Sequence, residues 1–218
     1  VRLDTPARSV SPGRVDTDDG PVHARAVVVA VDPRHVSGLL PGFGAPRMRS
    51  VTTWYHTTPS TPGSSLAGGK PVLVVDGQAR GPVVNTSVLS TVAPAYAPPG
   101  STLVSSSVLG TTGPAADEGA VRAHLALLYG RPTTDWQLVR RVEVPAALPA
   151  MPPPLDLRKP VRYVDGVYVC GDHRDTGSIQ GALASGRRAA AAVQVDLRHD
   201  RGHERDQGGA SAGTLDDE

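Results

Sequence analysis

The feature that most constrains the fold is a strand-loop-helix pattern near the C-terminus. Residues 167–170 are apolar, as in a short buried strand, and Gly171 and Asp172 follow directly. A helix is predicted from Ser178 to about Leu197, with small residues in its first turns: Gly181, Ala182, Ser185 and Gly186. Small residues allow another backbone or a planar ligand to approach a helix closely. The pattern therefore predicts a tightly packed connection at the end of a sheet.

Two interpretations of this connection remain open at this point. The backbone N–H groups at the start of the helix stabilise negative charge, and Asp172 can accept hydrogen bonds from sugar-like hydroxyl groups. These properties favour a binding site for a ligand that carries negative charge and sugar-like hydroxyl groups. Alternatively, Ser178 is simply the cap of a packed helix, and the segment has only a structural role.

Local patterns predict both helices and strands along the rest of the chain. An N-terminal β-meander leads into residues 24–31, a continuous run of small and β-branched residues that suits a strand covered on both faces. A short helix is expected over 34–40 and a longer one over 114–129, with Val121, Leu125 and Leu128 on one face. Further strands are predicted at 49–58, 72–75, 83–89, 102–109 and 139–144. The first four of these suggest an antiparallel sheet.

The C-terminal pattern resembles the FAD-binding motif of the flavin amine oxidase superfamily, which includes protoporphyrinogen oxidases and phytoene desaturase-like proteins. In that family an apolar strand and Gly-Asp precede Gly-Ser-x-x-Gly-Ala-x-x-Ser-Gly-x-x-Ala-Ala. Here the motif stands as Gly171-Asp172 followed by residues 177–190. Residues 1–33 are similar to the meander and returning strand of the family's FAD domain, and the middle of the chain is similar to its substrate domain.

The resemblance implies a fold class and a domain organisation. The fold is expected to be α/β (α+β), a partial FAD-binding Rossmann-like domain with an inserted mixed or antiparallel-sheet substrate domain. Residues 1–45 would form the FAD-domain meander and returning strand, and 46–160 the substrate-domain sheet and helix. Residues 161–195 would form the final FAD-domain strand and the flavin-facing helix. Residues 196–218 are polar, without apolar periodicity, and are expected to be a disordered tail.

The resemblance also implies the residues that bind FAD. Gly171 and Asp172 would meet the ribityl-pyrophosphate part, and Ala7 would touch adenine through its backbone. The backbone N–H groups of Ser178, Ile179 and Gln180 would face the pyrimidine edge of the flavin. Room for the ring would be left by the small residues that follow, Gly181 and Ala182. No catalytic residue is assigned by the resemblance.

The implied function is that of an FAD-dependent oxidoreductase, which transfers a hydride from a small or hydrophobic organic substrate to flavin. The sequence contains no strand followed by Gly-x-Gly-x-x-Gly, the turn that binds the pyrophosphate in this family. Gly42-Phe43-Gly44 does not qualify, because Pro46 follows and no helix pattern begins there. A separate N-terminal FAD-binding half is therefore an expected partner. The alternative is a non-catalytic fragment or subunit.

Composition argues against other function classes. Twenty-two Lys and Arg residues against 21 Asp and Glu give a net charge of +1, so neither nucleic acid nor an anionic membrane is an expected partner. The sequence shows no leader peptide, no apolar span of 18 residues and a single cysteine, Cys170, from which a cytoplasmic location is expected. No metal site is predicted. His199 and His203 have helical spacing but lie among polar tail residues.

Overall fold

The structure is a computed structural model that describes residues 1–60 and 65–210, and side chains up to His199. The chain divides into two compact units. Unit 1 comprises Val1–Arg47 and Pro149–Glu218, and unit 2 comprises Met48–Leu148. The proline-rich residues that follow Leu148 are therefore grouped with unit 1. Within unit 1, Ala150 N–H donates to the carbonyl of Arg47 at 2.7 Å.

The described residues form strands and α-helices in a mixed arrangement, as expected for an α/β chain. The strands are β1 (Ala7–Ser11), β2 (Arg14–Thr17), β3 (Gly20–His23), β4 (Val27–Val29), β5 (Met48–Pro59), β6 (Leu73–Val75), β7 (Val83–Val88), β8 (Ser101–Leu109), β9 (Gln137–Pro149), β10 (Arg162–Val164) and β11 (Val167–Val169). The α-helices are α1 (Pro33–Leu39), α2 (Leu89–Val92), α3 (Glu118–Tyr129) and α4 (Ile179–Ala210). Short 3-10 turns occur at Leu66–Gly69, Pro94–Tyr96, Gly113–Ala116 and Asp172–Arg174.

Unit 1 contains two three-stranded sheets. The predicted meander is confirmed as antiparallel β1-β2-β3, with Gly13 at φ +75° in its first turn. The second sheet has the order β10-β11-β4, in which β11 pairs with β4 in parallel. Val27 and Val29 pack with α1 residue Val36 on one side of this sheet. On the other side, Tyr168 of β11 and Cys170, the residue that follows β11, pack against Ala189 of α4.

The strand predicted at 24–31 differs from the expectation in length and in burial. Only Val27–Val29 is extended and paired, and the middle residue Val28 is 44% exposed. The reason is that β4 is the last strand of its sheet in the described part of the chain. The prediction that this strand is covered on both faces is therefore wrong for the described chain.

Unit 2 contains a five-stranded sheet with the order β6-β7-β8-β5-β9. The pairs β6–β7, β7–β8 and β5–β8 are antiparallel, which confirms the predicted sheet. The side chains of Trp54, Val104 and Val108 belong to the same buried cluster as Val121 and Leu125 of α3. The apolar face predicted for the 114–129 helix is thus the face that covers the sheet, although the α-helix begins only at Glu118, with Asp117 as its N-cap.

Helix α4 is longer than the sequence pattern indicated. It continues to Ala210, so residues 196–210 are helical and not the disordered tail that was expected; residues 211–218 lie outside the described part. The helix is held against β10 and β11 at Asp196, whose carboxylate accepts hydrogen bonds from Arg162 and from the Tyr168 hydroxyl. This contact is not visible in the polar sequence of the segment. None of the helices in the described residues is long and apolar enough to cross a membrane.

A buried carboxylate fixes one end of the unit 2 sheet against α3. Asp76 accepts hydrogen bonds from the backbone N–H groups of Arg80 and Gln78, and it lies 2.9 Å from Nε2 of His124. Nδ1 of the same imidazole accepts the Val83 N–H at 3.1 Å. The two backbone donors, followed by the His124 contact, hold the pKa of Asp76 well below its usual range. The fold of unit 2 therefore favours the ionised carboxylate.

This ionisation predicts acid sensitivity of unit 2. A depressed folded-state pKa contributes stability above the unfolded pKa, and that contribution disappears as the pH falls through the folded value. The native chain should lose urea stability between about pH 5 and pH 2, and Asp76→Asn should reduce this pH dependence. Glu143→Gln, at an exposed carboxylate of the same unit, is the matched control and should leave the dependence unchanged. Identical pH profiles for the native chain and Asp76→Asn would contradict the assignment.

Candidate functional site

The candidate site lies where the parallel strands β4 and β11 end. Val27 N–H donates to the Gly166 carbonyl at 2.8 Å, and Cys170 N–H donates to the Val29 carbonyl at 3.0 Å. This pairing brings both strand ends to the same edge of the sheet, with Asp32 after β4 and Asp172 after β11. In α/β proteins, ligands bind at the carboxyl edge of parallel strands. The two carboxylates therefore occupy the position where a ligand is expected.

The two carboxylates differ in their environments. Asp32 caps α1 and accepts hydrogen bonds from the backbone N–H and the guanidinium of Arg34, which lower its pKa to about 2. Burial raises the pKa of Asp172, and the nearby Asp32 charge adds to the effect. The Asp172 side chain is 24% exposed, and Nδ1 of His173 is 3.9 Å from it, too far for a hydrogen bond. Asp172 is thus the carboxylate with acceptor capacity left for a ligand.

His173 is an unexpected feature of this edge. Its imidazole is buried, and neither ring nitrogen has a hydrogen-bond partner among the described residues. The ring packs against the α-carbon side of Gly171, where an added Cβ would lie 2.7 Å from Nδ1, and against the Phe43 ring with centroids 6.1 Å apart. Burial lowers the pKa of His173 to about 4, so the ring is neutral at pH 7.

The start of α4 confirms that Ser178 is a helix cap. Its hydroxyl accepts the Gly181 N–H at 3.0 Å, and its own N–H donates to the Thr176 carbonyl at 2.7 Å. The Ser178 N–H is therefore engaged within the loop. The N–H groups of Ile179 and Gln180, in the first turn, have no intrahelical acceptor. Two of the three predicted backbone donors are consequently available to an anionic or carbonyl group.

Gly181 is required by the chain itself. A Cβ at this position would lie 1.9 Å from the Thr176 carbonyl oxygen and 2.6 Å from the Thr176 hydroxyl. The absence of a side chain at Gly181 is therefore required by the loop that precedes α4. Ala182 donates its N–H to the Ser178 carbonyl at 3.0 Å and continues the helix.

Ser185 is a site residue that was not identified from the sequence. Its side chain is fully buried, accepts the Gly171 N–H at 2.9 Å, and lies 2.8 Å from the Gly171 carbonyl and 2.9 Å from that of Ala182. One hydroxyl thus bonds both main-chain polar groups of Gly171, whose φ is +147°. Through Gly171, Ser185 fixes the position from which Asp172 projects. The Ser-Gly pair in the motif was the available signal, since a serine inside a packed helix needs a polar partner.

Two arginines brace the loop between Asp172 and α4. Arg188 forms an ion pair with Asp175 and donates to the Arg174 carbonyl at 2.8 Å. Arg174 donates to the Pro160 carbonyl at 3.1 Å, and its guanidinium lies 5.4 Å from the centre of the Phe43 ring. These contacts connect the loop to α4 and to two other segments of unit 1. The loop is therefore held in one conformation by charged and aromatic contacts.

The other candidate residues lie away from this edge or in the core. Ala7 is exposed on β1, in the meander and not in the parallel sheet. Trp54 and His56 are buried on the helix-covered face of the unit 2 sheet. Burial raises the pKa of the Cys170 thiol, as expected for a structural cysteine. No group of three or more metal-binding side chains occurs in the described residues, and the side chain of His203 lies outside them.

Comparison with known proteins agrees with this arrangement of strands and helix. The family model for flavin-containing amine oxidoreductases matches residues 1–194. The chain belongs to this family. The match includes the meander, the parallel pair and the Asp172-to-α4 connection, as well as all of unit 2. No curated protein is similar enough to count as a match.

Solved structures show the same fold. A putative protoporphyrinogen oxidase from Exiguobacterium sp. 255-15 is 19% identical, with a TM-score of 0.58, and the match covers 90% of this chain and 47% of that one. A protein from Pyrococcus furiosus has 11% identity, a TM-score of 0.58 and coverages of 85% and 45%. An oxidoreductase from Methanosarcina mazei has 13% identity, a TM-score of 0.50 and coverages of 83% and 46%. The chain thus spans about half the length of these structures.

The two helix glycines near the site predict opposite effects of the same substitution. Gly181→Ala should strongly destabilise unit 1, because the new methyl group would overlap the Thr176 carbonyl. Gly186→Ala meets no atom within 4 Å and should stabilise the helix by about 1 kcal/mol. Urea unfolding of both variants measures the difference. Equal effects of the two substitutions would show that the close approach at Gly181 is not present.

The Ser185 contacts predict a cost for losing one hydroxyl group. Ser185→Ala should lower the free energy of unfolding by about 1–3 kcal/mol, since the buried main-chain groups of Gly171 lose their partner. Chemical denaturation measures this change, and amide exchange at Gly171 should accelerate at the same time. A loss below about 0.5 kcal/mol, the usual range for surface substitutions, would contradict the role given to Ser185.

Proposed function

We propose that this chain forms the flavin-facing half of an FAD-dependent oxidoreductase. The observation that best supports the proposal is the parallel-strand edge, where one braced connection joins Asp172 to the first turn of α4, at Ile179 and Gln180. The reaction would be hydride transfer from a C–N or C–C bond of a small or hydrophobic organic substrate to the flavin. The membership of the amine oxidoreductase family supports this class of reaction.

The residues at this edge fit the chemistry of FAD. Asp172 has unused acceptor capacity, which suits hydroxyl groups of the ribityl chain. The amides of Ile179 and Gln180 are donors, which suits the carbonyl groups of the flavin ring. The buried, unpartnered His173 is a further polar group at this edge, and unsatisfied buried groups are frequent at binding sites. FAD is therefore the cofactor that we propose. Ala7 would lie near adenine. The segment that would contact FAD or support the contacting residues consists of Gly171, Asp172, Ser178, Ile179, Gln180, Gly181 and Ala182.

Each part of this segment has a distinct task in the proposed enzyme. Flavin supplies the redox chemistry when it is bound. The positive end of α4, at Ile179 and Gln180, would stabilise negative charge on a bound, reduced flavin. Ser185 and Arg188 hold the strand end and the loop in place, so that the donors need no rearrangement to bind the cofactor. No acid or base is assigned in this proposal.

A complementary dinucleotide-binding half is the second part of the proposal. Because Val27 and Val29 direct their main-chain groups to β11, the N–H and C=O of Val28 point to the opposite, unpaired side of β4. Val28, Ile179 and Leu183 are 44%, 78% and 64% exposed. An unpaired strand edge can accept a further strand, and exposed apolar side chains elsewhere in the unit can pack against its helix. That half, from preceding sequence or a separate chain, would supply the Gly-rich pyrophosphate turn.

The proposal predicts flavin binding that depends on Asp172. The chain, co-expressed with the reading frame directly upstream of its gene, should purify with a flavin absorption spectrum and bind FAD stoichiometrically in a fluorescence titration. Asp172→Asn should weaken FAD binding about tenfold or more, since hydrogen bonds to a charged acceptor contribute about 1.5–3 kcal/mol. Asp165→Asn, at an exposed position of the same unit, is the control and should bind FAD normally.

The possible outcomes separate the proposal from its alternative. Binding by the 218-residue chain alone would mean that this half is sufficient for the cofactor, and flavin bleaching would then identify substrates. Binding only in the co-expressed pair would indicate a divided flavoenzyme. Absence of FAD binding in both preparations would contradict the enzyme and leave the alternative, a non-catalytic fragment or subunit with the same fold.

A further inference from the structure

The chain has two methionines, and the sulfur of one of them contacts the loop that leads into α4. Met151, in unit 1, has a half-buried side chain. Its Sδ accepts the Gly177 N–H, with nitrogen and sulfur 3.0 Å apart. An added Cβ at Gly177 would lie 3.3 Å from this sulfur and 3.4 Å from the Pro149 ring. Gly177 is therefore in direct contact with the segment that follows β9.

Met151 supplies a hydrogen-bond acceptor that the loop does not supply for itself. The N–H groups of residues 174, 175, 176 and 178 all donate to acceptors within residues 171–176. Among the described residues, the Gly177 N–H donates to the Met151 sulfur alone. Thioether sulfur is a weak acceptor, and its acceptor strength changes with its oxidation state. The main chain of this loop is thus held at one point by a group that can be chemically modified.

The position of Gly177 affects the first turn of α4 through both of its neighbours. The Thr176 carbonyl oxygen packs directly against the α-carbon of Gly181. The Ser178 hydroxyl accepts the Gly181 N–H at 3.0 Å. A displacement of Gly177 therefore moves two groups that contact the start of the helix. The sulfur contact is connected in this way to the proposed flavin-facing N–H groups.

Oxidation of the Met151 sulfur removes the contact with Gly177. Hydrogen peroxide transfers one oxygen atom to a thioether: a sulfur lone pair forms the S–O bond, the peroxide O–O bond breaks, and water is released. Sulfur is oxidised to the sulfoxide, and the peroxide is reduced. In a sulfoxide the oxygen is the acceptor and the sulfur carries partial positive charge. Because nitrogen and sulfur are 3.0 Å apart, no oxygen atom fits between them, and the loop must move before the N–H can reach it.

The other oxidisable sulfur groups lack this connection. Cys170 is buried, and burial raises the pKa of its thiol, which keeps it in the unreactive protonated form. Met48, at the start of β5, is half-buried like Met151, but no N–H group of the described residues donates to its sulfur. Met48 is therefore an internal control for the effects of oxidation at Met151.

We propose that Met151 is a reversible oxidation site that controls the position of the loop before α4. The thioether holds Gly177 in place, and the sulfoxide releases it. Methionine sulfoxide reductases restore the thioether: the oxygen leaves as water, and two thiols are oxidised to a disulfide. The loop change needs no cofactor, whereas a resulting loss of FAD affinity rests on the proposed function.

Peroxide treatment of the isotopically labelled full chain, without cofactor, tests the loop change. Peptide mass mapping measures oxidation at each methionine, and NMR measures amide hydrogen exchange. Oxidation of Met151 should accelerate exchange at Gly177 about tenfold, as expected for the loss of one hydrogen bond. The amide signals of Ser178 and Ile179 should shift at the same time. Treatment with methionine sulfoxide reductases should reverse both changes.

Two variants separate the effect of Met151 from other effects of peroxide. Met48→Leu is the matched control and should respond as the native chain does. Met151→Leu keeps an apolar side chain of similar size without the sulfur, so exchange at Gly177 should be fast from the start and unaffected by peroxide. Resistance of Met151 to oxidation, oxidation without a change at Gly177, or a response that persists in Met151→Leu would overturn the proposal.

FAD titration of the co-expressed pair separates this proposal from the proposed function. Oxidation of Met151 should weaken the Kd for FAD about fivefold or more, a typical size for coupling between two sites. Unchanged affinity would overturn the control of the cofactor site by Met151 and leave the proposed function intact. Absence of FAD binding would contradict the proposed function, and the exchange rate at Gly177 would still decide whether Met151 controls the loop.

Discussion

The parallel pairing of β4 with β11 is the interaction on which the candidate site depends. It places two strand ends at one edge and positions Gly171 where Ser185 can bond both of its main-chain groups. From that fixed point the chain passes Asp172, turns through the braced loop and enters α4 at its free N–H groups. A shift of β11 relative to β4 would therefore move the carboxylate and disrupt the Ser185 contacts together.

In the described residues the same sheet ends at β4, which leaves one side of this strand unpaired and the Val28 side chain exposed. A parallel strand is normally covered on both faces and paired on both sides. Here β4 has one partner among the described strands, β11. Its middle residue, Val28, is exposed on the side of the sheet that carries α4. Unit 2, in contrast, covers one face of its sheet with α3 and completes its core from its own residues. The two units thus differ in how far the described residues cover their sheets.

Sequence reasoning identified the elements with strong local patterns. The meander, the antiparallel strands, the Val121–Leu125 face of α3 and the Gly171-to-α4 connection all depend on periodicity or on turn residues. Burial of β4 could not be predicted, since Val27, Val28 and Val29 look alike in sequence while their exposure depends on a neighbouring strand. Ser185 and His173 were missed as partners of Gly171 for a similar reason: their roles depend on contacts across the fold. The continuation of α4 past Asp196 could not be predicted, because Asp196 is bound by Arg162 and Tyr168, which are distant in sequence.

Hydrogen exchange at the Val28 amide tests the central claim most directly, that β4 is an open strand at a half-formed flavin site. Mass spectrometry or NMR would measure it in the chain alone and in the chain co-purified with the dinucleotide-binding half. The account predicts rapid exchange at Val28 in the chain alone, slow exchange at Val27, and strong protection of Val28 in the pair. Equal protection of Val28 in both preparations would contradict it, because the strand edge would then be closed without a partner.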